Sequence, residues 1–184
     1  MIGNLIAVIS ASAAIIAALV TYSLYRITRR NLIYQVLVNL QMEYRSPEMQ
    51  YAVMTLWDFY KECNKDEETL MKKYGKKYDE EKNRLKMQKE KPIEALKTTL
   101  DHQRRLVSQF YEHLAALYTN NIIPPHIIFA TWSEKELSII PKIIIPMGNK
   151  LLEILHKDSR EPQPPPLDES SKLYQLYIDS KDYE

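Results

Sequence analysis

The stretch PIEALKTTLDHQRRLVSQFYEHLAALY, residues 92–118, decides the fold. Pro92 stands where a helix tolerates proline, at its first turn. Behind it Ile93, Leu96, Leu100, Val107, Phe110, Leu114, Leu117 and Tyr118 fall within roughly 120° of one another at about 100° per residue. The spacing predicts one long amphipathic helix at the centre of a core. Gln103 lies inside the apolar stripe, so it is either a buried amide with a partner or a gap in the packing. Asn120 and Asn121, with Pro124 and Pro125 close behind, end the helix.

Upstream, Ser46-Pro47-Glu48 reads as an N-cap, a proline at the first helical position and an acid against the positive helix end. Met49, Ala52, Val53, Leu56, Trp57 and Tyr60 then recur at threes and fours, and Trp57 is either core or an exposed anchor for a partner. Downstream, Ile127, Ile128, Phe129 and Trp132 form a short apolar helix, and Ser133 with Glu136 makes a capping box for the next. In residues 138–146 isoleucines favour strand, but Pro141 and Pro146 interrupt any ladder, so a kinked helix start is predicted.

Residues 64–91 carry ten Lys or Arg and seven Asp or Glu. Met71, Tyr78 and Leu85 give a narrow heptad seam there, and the expectation is a solvated helical arm interrupted near Gly75. From residue 158 onward Pro162, Pro164, Pro165 and Pro166 make a spacer and an acidic tail, predicted to be dispensable for folding, although Leu173, Leu176, Tyr177 and Ile178 could form a short docking helix.

Residues 1–25 hold no charged side chain, and Arg26, Arg29 and Arg30 follow at once. About 20 apolar helical residues cross a bilayer core, so Ile2 to Tyr25 is predicted to be a transmembrane anchor continuing as one rod to Tyr44. Basic residues at the membrane interface stay inside. The expected architecture is therefore all-α: one N-terminal transmembrane helix, 1–25, continuing into a small cytoplasmic helical bundle, 26–157, with the arm at 64–91 and the tail at 158–184. The expected place is the inner membrane, single-pass, N-terminus outside. Cys63, the one cysteine, suits a reducing compartment as an inert thiol. Gly3, Ala7, Ala11, Ala14 and Ala18 form a small-residue ridge, which suggests a homo-oligomer or a membrane-protein partner.

Only three glycines occur, and GxGxxG, GxxxxGK[ST] and GxSxG are all missing from the sequence, which removes the commonest nucleotide-binding and hydrolase signatures. The formal net charge of +1 disfavours a nucleic-acid partner. His102 and His113 share a helix side but stand roughly 16 Å apart, too far to hold one metal. No metal and no cofactor are expected. Asp101 and Arg105 fit a surface ion pair at i, i+4. Function is expected to be interaction, scaffold or accessory work, with the alternative an enzyme or small-ligand sensor whose pocket uses Gln103, Glu112 and Trp132.

Phe110-Tyr111-Glu112-His113-Leu114-Ala115, followed by Ile122, Ile128-Phe129, Trp132 and Pro141, resembles a group of prokaryotic single-pass helical proteins known only as a domain of unknown function. The Ser46-Pro47-Glu48 helix start fits the same layout. This resemblance, over roughly residues 1–150, implies an architecture and no activity.

Overall fold

The computed structural model describes residues 2–87, 92–157, 165–168 and 171–183, and among residues 2–11 and 92–93 the backbone only. All regular structure among the described residues is helical. The chain divides into two units, residues 1–43 and 44–184.

The first unit is a single helix. Helix α1, Ile2–Tyr44, runs without interruption for 43 residues, its last residue belonging to the second unit. Arg26, Arg29 and Arg30 are exposed, Arg26 lying over the Tyr22 ring with 5.9 Å from its guanidinium carbon to the ring centre. The expected transmembrane anchor is corrected: among the described residues no helix is long and apolar enough to cross a membrane. Beyond Val20 the apolar run is interrupted by Thr21, Tyr22 and Ser23 and then closed by Arg26, Arg29 and Arg30. The inner-membrane, N-outside localisation rested on that span and falls with it. Of the small-residue ridge, Ala14 and Ala18 are exposed, while the Gly3, Ala7 and Ala11 positions lie outside the described side chains.

The second unit is a helical bundle built on α5, Leu100–Thr119. The helix expected from Pro92 is two pieces, because the Thr99 hydroxyl accepts from the His102 N–H and caps α5, leaving α4, Pro92–Lys97, as a separate turn. Along α5, Val107, Phe110, Tyr111, Leu114 and Leu117 are buried. Helix α2, Pro47–Glu62, packs on this face and starts as predicted, with the Ser46 hydroxyl accepting from the Met49 N–H at 3.2 Å. The aromatic centre is Tyr44, Phe110, Tyr111 and Trp132, with ring centres 5.2–6.4 Å apart in tilted and edge-on pairs, the geometry that ring quadrupoles favour.

Helix α3, Glu67–Met87, runs unbroken through Gly75 and buries Leu70 and Tyr74. A Cβ at Gly75 would meet Lys150 Cε at 3.1 Å, so glycine here permits close approach to α8, Ile145–His156. Three polar contacts clamp α3 on α5. Tyr74 donates to Asp101 at 2.8 Å, Arg104 donates to both, and the Glu81 carboxylate accepts from the Leu100 N–H at the start of α5. Asp101 thus pairs with Arg104, three residues on, and Arg105 is exposed.

After α6, Pro125–Thr131, the capping box forms as predicted: Ser133 and Glu136 satisfy each other's backbone N–H groups and start α7, Glu134–Leu137. Residues Ile140–Ile144 then wind as a π-helix leading into α8, with the Ile145 N–H reaching back to the Ile140 carbonyl. The wider turn has a cause. Pro146 offers no N–H and its ring would collide with the carbonyl four residues back in an α-helix.

The tail docks. Asn149 makes two hydrogen bonds to the backbone of Leu167, and α9, Lys172–Ser180, packs on α5, α7 and the π-helix. Leu173 and Leu176 are buried, and the Tyr118 hydroxyl donates to Asp179. The expectation that this segment is dispensable gives way to one in which α9 closes the core.

Candidate functional site

Gln103, Glu112 and Trp132 are not brought together. Trp132 is sealed in the aromatic centre. Glu112 is exposed and accepts from the Ser108 hydroxyl at 2.7 Å, and Gln103 donates to the Lys97 carbonyl while its own oxygen is buried without a partner among the described residues. Nine residues of helix separate the Gln103 and Glu112 side chains, roughly 13 Å. Cys63 is buried at the end of α2, where burial pushes its thiol pKa up. Among the described residues no group of three or more His, Cys, Asp or Glu is arranged to hold a metal.

The structure instead forms a half-open groove of about 630 Å³ between α2 on one side and α7 with the π-helix on the other. Met54 and Trp57 give it an apolar side, with Tyr60 set edge-on against Trp57 at 5.9 Å. Four lysines surround it: Lys61 from α2, Lys65 from the following turn, Lys135 from α7 and Lys142 from the π-helix. Asp58 is the one carboxylate among the lining residues, and Lys61 neutralises it at 2.8 Å. Lys65, Lys135 and Lys142 have no ion-pair partner among the described residues.

Each lysine is positioned by local physics. Between Ile139 and Gly148 every residue except Pro141 and Lys142 is buried, so the isoleucines pin the π-helix to the core and leave Lys142 facing out. Lys135 is exposed by the capping box that fixes the direction of α7, while Ser138 donates back to the Lys135 carbonyl at 2.7 Å. Lys65 is held in the left-handed region at φ 57°, beside Asn64 at the same angle, a conformation that costs a β-carbon-bearing residue about 1–2 kcal/mol. Tyr60 secures it from both ends. Its carbonyl accepts from the Lys65 N–H at 3.1 Å and its hydroxyl donates to the Lys65 carbonyl at 3.0 Å. Burial, helped by Glu67 and Asp66, raises the pKa of that hydroxyl and keeps it a donor.

A second groove, of about 520 Å³ between α3 and α8, differs in kind. Its five lysines stand among three acids, Glu68, Asp79 and Glu153, and Lys150 pairs with Glu153 at 2.9 Å. Of these two the α2 groove has the fewer acids, the single Asp58 already paired with Lys61, beside the apolar side of Met54 and Trp57.

Sequence reading weighed Trp57 as an anchor but not the lysines. A signal existed in Lys142, a lone charge inside an otherwise apolar run. No protein-family model, no curated protein and no solved structure matches the chain. The resemblance carried by Phe110–Ala115, Ile122, Ile128-Phe129, Trp132, Pro141 and the Ser46-Pro47-Glu48 helix start therefore rests on those residues alone.

Proposed function

We infer that the protein is a helical interaction module, serving as scaffold or accessory to a partner docked in the α2 groove. The supporting observation is the apolar side of Met54 and Trp57 ringed by four lysines, of which Lys65, Lys135 and Lys142 have no ion-pair partner among the described residues. Tryptophan and methionine are the residue types that anchor and adapt at recognition surfaces. Nothing comparable supports the enzyme or sensor alternative near Glu112, whose carboxylate is in solvent.

A photo-crosslinking amino acid placed at position 54 in cells tests the reading, with position 105, exposed on α5, as the control. One reproducible crosslinked partner from position 54 and none from 105 is the expected result. Equal products from both positions, or none from either, would refute it.

A further inference from the structure

Resting on that reading, we propose that the occupant of the α2 groove is an acidic amphipathic peptide segment, its apolar anchors on Met54 and Trp57 and its carboxylates facing Lys65, Lys135 and Lys142. Charge complementarity carries the argument. The lining holds four lysines and one aspartate, and that aspartate is already taken by Lys61. Positive groups stand on both walls, Lys61 and Lys65 on the α2 side and Lys135 and Lys142 opposite, so a ligand lying between them meets cations on either flank. A partner with apolar residues along one face and acids beside them satisfies floor and rim at once.

The shape agrees with a peptide. Tyr51 and Met54 are exposed at 63 % each, and with Trp57 and Lys61 they mark one side of α2 over roughly 15 Å. That length matches about three turns of a docked helix, whose anchors would recur at i, i+3 or i+4 and i+7. Methionine tolerates varied anchors, and the half-buried Trp57 supplies a rigid contact. A single-stranded nucleic acid would also use an aromatic ring and lysines, but it needs a basic track along its backbone. Here the cations circle an apolar patch, no arginine lines it, and the chain as a whole is only +1.

The molecule contains its own reporter. Of the two tryptophans Trp132 is buried in the core and Trp57 lines the groove, so a change in emission on binding reports the groove. The full chain is titrated with a fluorescein-labelled synthetic peptide carrying leucine and phenylalanine at i, i+3, i+4 and i+7 and glutamate at flanking positions. The same peptide with lysine for glutamate and an oligothymidylate are titrated in parallel. Expected are binding of the glutamate peptide with an emission change that Trp57→Phe removes, and weakening by about tenfold or more in Lys135→Glu/Lys142→Glu and on raising salt. Both lysines are exposed, and circular dichroism verifies that the double variant stays folded.

Equal or tighter binding of the lysine peptide, an unchanged affinity in the folded double variant, tighter binding of the oligonucleotide, or binding of no probe overturns the proposal. Self-association through position 54 that the glutamate peptide does not displace overturns it too, by making a second copy the occupant. The two readings fail separately. A crosslinked partner at position 54 whose docking segment is basic or neutral defeats the acidic peptide and leaves the interaction module standing.

Discussion

Leu176→Ala measures whether α9 belongs to the core. Leu176 is 0 % exposed, and the helix that carries it packs on α5, α7 and the π-helix. The substitution removes three carbons. At about 0.8 kcal/mol for each, the lost transfer free energy is roughly 2.4 kcal/mol, and a residual cavity brings the expected loss to about 3 kcal/mol. A ceiling applies, because a helix of nine residues undocks once its anchoring fails, and the loss then stops at the docking free energy of α9. Truncation after Lys157 removes α9 together with the Asn149–Leu167 hydrogen bonds and the Tyr118–Asp179 contact. It must therefore destabilise by at least as much as Leu176→Ala. Urea unfolding followed by far-ultraviolet circular dichroism gives both values from midpoints and slopes. A truncated chain within about 1 kcal/mol of the parent would refute the reasoning, since no docking that weak survives loss of a buried leucine worth about 3 kcal/mol.

Three further outcomes are expected. Asp101→Ala should destabilise by about 3 kcal/mol, because Arg104, whose side chain is 9 % exposed, would keep only the Tyr74 hydroxyl, whereas Tyr74→Phe leaves the ion pair and should lose about 1 kcal/mol; chemical denaturation giving the reverse order would contradict the network. Burial opposes the Arg104 charge, but Tyr74 and Asp101 outweigh it and raise its pKa; removing the acid matters more because burial raises the Tyr74 pKa and keeps that hydroxyl neutral, so Asp101 supplies the compensating charge. Lys65→Gly should stabilise by about 0.5 kcal/mol, the relief at φ 57° exceeding the entropy glycine adds to the unfolded chain, and should weaken the glutamate peptide; a fall in melting temperature would count against strain there. Asp66 accepts from the Thr69 N–H at 2.8 Å ahead of α3, and the Thr69 hydroxyl and N–H lower its pKa below the ordinary aspartate value. Because the folded pKa is the lower one, the stabilisation is complete above the unfolded pKa and is lost as pH falls through the folded pKa. Asp66→Ala should accordingly be less stable than the parent near neutral pH, with the difference closing in acid; thermal melts showing a gap that does not depend on pH would exclude the carboxylate as its source.

Several helix boundaries were written locally. Ser46 and Ser133 cap their helices, Glu136 closes the box, and Asn120 ends α5, because a cap is settled within about four residues of chain. The stripe along α5 likewise identified Val107, Phe110, Leu114 and Leu117 as core, since helical period alone puts them on one face. Thr99 was local too, yet its break in the helix depends also on Glu81, nineteen residues away, reaching the Leu100 N–H. The docking of α9 and the pairing of Asp101 with Tyr74 and Arg104 required elements far apart in sequence to meet. So did the groove, whose lysines run from 61 to 142 and become one site only where α2 and the π-helix pack on α5. Hydrogen bonds and helical period act over a few residues and are legible in order along the chain; a cluster of like charges is repulsive and leaves no pattern in sequence, so only the packing of the apolar faces decides that it forms.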